Sequence, residues 1–163
     1  MAANATFHWL RVQTFCYATE DEELVHDTFA YMVGTEDFEV DIAEGEHGNR
    51  TIIMQHDMTK QKEFLALFER FPQDVLDGIV EDLDNRIDED CFFYIRVDKR
   101  KAVQGVYEIA HHGDVVAVTG KVVSHPAKKE VAMRNARAFF SGITPSGVLP
   151  PQHPDPVQPS PRG

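Results

Sequence analysis

Nine cations are gathered between residues 95 and 137. Arg96, Lys99, Arg100 and Lys101 form one group, and Lys121, Lys128, Lys129, Arg134 and Arg137 form another, with His125 beside them. This stretch holds 9 Lys and Arg against 4 Asp and Glu, whereas residues 1–94 hold 6 against 22. The 163-residue chain has a net charge of −11. A basic block retained inside so acidic a chain is informative, and the natural chemistry of grouped guanidinium and ammonium ions is to hold phosphate. Lys128 and Lys129 fall in the first turn of an expected helix. Cations there oppose the helix dipole, and an anion seated between them relieves the conflict. The competing use is internal: a basic side that balances the acidic half of the same molecule.

No catalytic pattern accompanies the block. GxSxG, P-loop, HExxH and zinc-deaminase spacings do not occur. His111-His112 is the one histidine cluster, and adjacent side chains on a strand point apart, so it reads as a solvated turn. Cys16 and Cys91 lie in apolar, strand-like runs without CxxC spacing and read as buried free thiols. The acidic runs Glu20 to Glu23 and Asp88 to Asp90 read as solvated helix ends. Gly45-Glu46-His47-Gly48 spells the GxxG of a KH loop. A KH loop joins two helices, however, and this one precedes a strand and sets Glu46 against a phosphate. A tight turn that needs glycine is the simpler reading. The expectation is a protein without enzymatic activity, metal or cofactor.

The elements that must position the cations follow from periodicity. Phe7 to Ala18 is an expected strand, with Phe7, Trp9, Arg11, Gln13, Phe15 and Tyr17 on one side and His8, Leu10, Val12, Thr14 and Cys16 on the other. Thr19 with Glu22 makes a capping box for a helix that buries Val25, Phe29 and Met32 and stops at Gly34. Phe38 to Ala43 is a short edge strand, and Arg50 to Met58 another strand. Thr59 caps a second helix carrying Phe64, Leu67, Phe68 and Phe71, which Pro72 breaks. A third helix buries Leu76, Ile79, Val80, Leu83 and Ile87. Cys91 to Val97 is a strand bearing Arg96, and Asp98 to Gln104 a single helical turn bearing Lys99, Arg100 and Lys101. Val106 to Ala110 and Val115 to Val123 read as a hairpin around His111-His112-Gly113-Asp114. Pro126 opens the last helix, with Ala132, Ala136, Phe139 and Phe140 inward and Gly142 as its stop. Seven of the nine prolines follow residue 143, where no period remains.

This order predicts an α+β fold: two layers, with a mixed β-sheet and helices packed on one face. Residues 1–143 form one domain and residues 144–163 a disordered Pro-rich tail. For both basic groups to make one surface, the last helix must lie beside the strand ending at Val97. Base recognition would need exposed aromatics, for which Tyr94 and Tyr107 are the candidates. No apolar run approaches the ~18 residues of a membrane span, and MAANATFHWL lacks the layout of a secretory signal, so the expected location is cytoplasmic. Whole-chain acidity fits a halophilic cell.

Five short segments occur in order: Tyr17-Ala18-Thr19-Glu20-Asp21-Glu22-Glu23, Gly45-Glu46-His47-Gly48-Asn49, Arg86-Ile87-Asp88-Glu89-Asp90, Tyr94-Ile95-Arg96-Val97-Asp98-Lys99 and Ser124-His125-Pro126-Ala127-Lys128-Lys129-Glu130. Together, over roughly residues 7–140, the chain resembles the small archaeal family of RNA-binding proteins regarded as predicted exosome subunits. The resemblance implies a fold like that of the large-ribosomal-subunit protein that contacts 5S RNA. It also implies an accessory role in RNA processing, at the exosome or on the ribosome, with ribosomal RNA or an exosome substrate bound and exosome or ribosomal proteins as further partners. The alternative is a protein-protein interaction module that uses the acidic half. Molar salt screens charges beyond about 3 Å, so contacts in such a cell would be short hydrogen bonds, which favours Arg over Lys.

Overall fold

The computed structural model describes residues 5–45, 48–111 and 113–146. The alternating segment Phe7–Tyr17 forms β1, the middle strand of a five-stranded sheet. Glu39–Glu44 (β2), Arg50–Met58 (β3), Phe92–Asp98 (β4) and Val115–Val122 (β5) complete it in the order β2-β3-β1-β5-β4. Every neighbouring pair is antiparallel, where the element order led to a mixed sheet. The strands that share a direction, β1, β2 and β4, are never adjacent, because β3 and β5 lie between them.

The helices are Glu22–Val33 (α1), Gln61–Glu69 (α2), Gln73–Glu81 (α3), Leu83–Arg86 (α4), Lys99–Ala102 (α5) and Lys129–Ser141 (α6). Leu10, Val12 and Cys16 of β1 share a single core with Met54, Phe93, Ile95, Val116 and Val118 and with the apolar stripes of α1, α2, α3 and α6. Rings dominate it: Phe68 meets Phe140 at 4.8 Å, and Phe7 lies 5.4 Å from Phe64 and 5.5 Å from Phe139. The expected α+β, two-layer architecture with helices on one face therefore stands. Cys16 and Cys91 are both buried free thiols.

Several local expectations change. A register shift between Phe7 and Trp9 turns Phe7 into the core and His8 outward, so Phe7 leaves the side of β1 that its alternation assigned. Asp21, not Thr19, caps α1 by accepting from the Leu24 amide, because Glu20 is drawn back to the Tyr17 amide at 2.9 Å. Thr59 does not cap α2; the Glu63 carboxylate accepts from the amides of Thr59 and Lys60 instead. The expected third helix divides at Asp82, whose carboxylate binds Asn85 and Arg86 and starts a new turn. Lys128, not Pro126, precedes the first residue of α6. Ser124 holds the intervening loop by donating its hydroxyl to the Pro126 carbonyl at 2.6 Å and accepting from the Lys128 amide at 3.3 Å.

The expected hairpin before β5 does not form, because both sides of β5 are occupied by β1 and β4. Val106 to Ala110 runs instead along the outer edge of β4. Ile109 bridges Val97, the Asp98 amide donates to the Glu108 carbonyl, and the Ala110 amide donates to the Arg96 carbonyl. Ile143 is buried and the Ser146 amide donates to the Glu69 carbonyl at 2.8 Å, so the chain stays docked past residue 143. Residues 147–163 of the expected tail, Glu46 and His47 of the glycine loop, and His112 lie outside the described residues.

Candidate nucleic-acid interface

Because the helices cover one face of the sheet, the other stands open among the described residues. Register fixes which side chains share it. Phe92, Lys121 and Trp9 form one row, Tyr94, Thr119, Arg11 and Asp57 the next, and Arg96, Ala117, Gln13, Gln55 and Glu39 a third. Phe15 and Tyr17 continue this side of β1 toward its C-terminal end, 39% and 43% exposed. Tyr94 is 42% exposed. The rings form two groups. Trp9 and Phe92 lie 6.2 Å apart and Phe92 and Tyr94 6.4 Å apart, while Phe15 and Tyr17 are stacked at 6.4 Å with an interplanar angle of 26°. The polar side chains between them are tied down: Arg11 makes a two-pronged bond to Asp57, and Gln13 donates to Gln55.

The nine expected cations do not share one side. Arg96 and Lys121 stand on the open face. Arg100 and Lys101 are exposed on the α5 turn at the end of β4. Lys128, Lys129, Arg134 and Arg137 belong to α6 and its cap, in the helical layer on the opposite side of the sheet. The last helix packs on the covered face, against α3, α4 and β5 and with Phe140 5.6 Å from Phe93 of the strand ending at Val97, so its cations lie across the sheet from Arg96 and the single basic surface expected from the sequence divides in two.

Lys99 is a further correction. It is 2% exposed, and its Nζ donates to the Phe15 carbonyl at 2.6 Å and to Glu20 at 2.7 Å, with Asp114 at 3.7 Å and the Tyr17 ring at 5.0 Å. Pairing between β1 and β5 ends at Thr14, and Lys99 serves the next carbonyl of β1 where β5 has run out. Two of the motif segments, around Glu20 and around Lys99, thus meet as one ion pair. Glu20 is accordingly not a solvated helix end, and Asp88 accepts from the amides of Asp90 and Phe92 to shape the turn into β4.

Partners sort the remaining cations. Lys101 pairs with Glu108 and Lys129 with Asp84, and Lys121 donates to the Asp90 carbonyl while its Nζ lies 4.4 Å over the Phe92 ring. Among the described residues no carboxylate or carbonyl engages Arg96, Arg100, Lys128, Arg134 or Arg137. Four of these five are arginines, whose forked donors remain free for an external acceptor. Of the two candidate tyrosines, Tyr94 lies on the open face but Tyr107 is buried against Phe71, and burial pushes its hydroxyl pKa far up. Trp9, Phe15, Tyr17 and Phe92 were not singled out from the sequence. The signal was present: Arg11 and Gln13 alternate with these aromatics on one side of the strand, and polar side chains mark the side that meets water.

This arrangement defines a class: a small two-layer α+β domain whose antiparallel sheet presents an aromatic and cationic face that the described helices leave uncovered. Within that class, the chain belongs to the family whose model is described as RNA binding and matches residues 9–122. It is 29% identical over 152 residues to the RNA-binding protein PAB1135 of Pyrococcus abyssi, spanning 87% of this chain and 99% of that protein. Among solved structures it is similar to Mth689, a DUF54 protein from Methanothermobacter thermautotrophicus, with 33% identity, a TM-score of 0.70 and coverage of 82% and 98%. AF2318 from Archaeglobus fulgidus is also similar, with 29% identity, a TM-score of 0.67 and coverage of 82% and 99%. No helix among the described residues is long and apolar enough to cross a membrane.

Proposed function

We propose that this protein is a non-catalytic, cytoplasmic RNA-binding accessory protein that works in RNA processing with the exosome or on the ribosome. The observation that carries the reading is an open sheet face bearing free Arg96, on a chain of an RNA-binding family. Ribosomal RNA or an exosome substrate is the ligand, with exosome or ribosomal proteins as further partners; co-sedimentation with ribosomal particles or with exosome components separates the two settings. Arg96 and Arg100, with Lys121 beside the rings, hold the RNA backbone. The acidity of the remaining surface suits a halophilic cell, and free arginines suit contacts made at high salt.

Titration of labelled RNAs of several sequences tests this. Arg96→Ala should weaken binding to all of them by similar factors, because phosphate contacts carry no sequence information. It should also flatten the dependence of log affinity on log salt by roughly 0.7–0.9 per lost contact. Replacing Arg134 and Arg137, on the opposite layer, should leave binding unchanged. The second reading, a protein-protein interaction module using the acidic half, draws support from β2. This edge strand exposes Val40 and Ile42 beside Glu39, Asp41 and Glu44. Intact RNA affinity in Arg96→Ala, together with a partner retained after nuclease treatment, would favour it.

A further inference from the structure

We infer that the open face is a platform for single-stranded RNA, whose unpaired bases stack on two aromatic stations at opposite ends of β1. The inference rests on the RNA-binding reading above and adds the form of RNA and the residues that select it. The first station is Trp9, Phe92 and Tyr94, held together by ring contacts of 6.2 and 6.4 Å and by Lys121 over Phe92. The Tyr94 hydroxyl donates to Asp88 at 3.4 Å, which sets the ring's orientation. The second station is the stacked pair Phe15 and Tyr17, and the Lys99 ammonium 5.0 Å from the Tyr17 ring supports it from within.

These five rings join no core, since the helices pack on the other face. Large aromatic surfaces held against water without a folding role mark a binding surface. A nucleobase supplies the flat, apolar, polarisable partner that fits them. Between the stations lie Ala117, Thr119 and Gln13, with Arg11 drawn toward β3 by Asp57, and Arg96 stands beside them with its guanidinium free. Strand geometry puts Tyr94 and Phe15 roughly 17 Å apart, a span for a run of a few nucleotides. The route is confined to the β1, β5 and β4 half, because Asp57, Glu39 and Asp41 place carboxylates on the β3 and β2 half of the same face. Duplex RNA keeps its base faces inside its own stack and offers only a groove and phosphate ridges, so it leaves exposed rings on a sheet face without a stacking partner. Stacking is also the term that survives high salt, where long-range attraction to phosphate is screened.

Trp9 is the chain's one tryptophan, so its emission reports on the first station directly. The full chain is titrated with a ten-nucleotide oligouridylate and, separately, with a blunt RNA duplex of equal length. Oligouridylate should quench Trp9 and bind at least tenfold more tightly than the duplex. Tyr94→Leu and Phe15→Leu, which keep apolar bulk but remove the ring, should each weaken the single strand about tenfold or more, and Tyr94→Phe should restore it. Both positions are exposed, so the fold should persist, with circular dichroism as the check. Equal affinity for the two RNAs, or leucine variants that bind as the parent does, would overturn the stacking platform while leaving RNA binding in place. Trp9 emission and affinity unmoved by either RNA would overturn the RNA reading as well and leave the face to another occupant, such as a protein surface.

Discussion

Lys99 shows how far one residue's role can depart from its neighbours'. It sits in a Lys-Arg-Lys run that reads as a phosphate clamp, yet its ammonium is buried and satisfied by Glu20 and the Phe15 carbonyl. Nothing nearby in the sequence could reveal this, because Glu20 lies 79 positions away and only the sheet brings them together. Removing one partner of a buried pair leaves the other charge poorly solvated, so Lys99→Ala should cost about 3 kcal/mol in urea unfolding. Arg100→Ala, one position along but exposed, should stay within about 0.5 kcal/mol of the parent. The opposite lesson comes from Trp9, Phe15 and Tyr17. From Trp9 onward, alternation along β1 separated two sides correctly but could not say which was inside, since both carry apolar residues. Only the helices, which cover the Leu10, Val12 and Cys16 side, decide it.

At the scale of elements, periodicity was legible wherever one side packs and the other meets water. Arg50–Met58 has the predicted bounds, and the stripes of α1, α2 and α6 are the predicted ones. Pairing was not legible, because it depends on which strand edges are free. Val106 to Ala110 and β5 looked like a hairpin from the turn residues between them, but β1 and β4 had already taken both edges of β5. That crowding has a sharp point at Gly120, which faces Leu10 across β1 and β5. A Cβ there would come 2.5 Å from Leu10 Cδ2 and 2.8 Å from the Trp9 carbonyl oxygen. The second contact is with backbone and cannot be relieved by a rotamer change. Gly120→Ala should therefore lower stability by about 1–3 kcal/mol, measured by denaturant midpoint at unchanged m-value.

At the scale of the molecule, the order of strands and helices foretold the fold class and the charge count the acidic and basic segregation along the chain, but neither foretold the division of the basic block in space. Residues 96 to 137 are contiguous in sequence, yet they pass from the open face through α5 and β5 to the helical layer. The domain boundary can be refined in the same way. Ile143 is buried and Ser146 bonds to Glu69, so a chain ending at residue 142 should melt several degrees lower, while one ending at 146 should keep the parent midpoint. We expect scanning calorimetry of the two truncations to show this difference. The sheet order has one more consequence. β1 is the first of the five strands along the chain and β5 the last, and they are direct neighbours, joined by contacts such as Thr14 to Val115 across 101 positions. A ribosome emits β1 long before the strand that flanks it, so one edge of β1 waits with its backbone groups unpaired until β5 emerges. Such distant closure makes folding slow relative to a helical bundle of similar size and leaves the nascent chain in need of shelter during that interval.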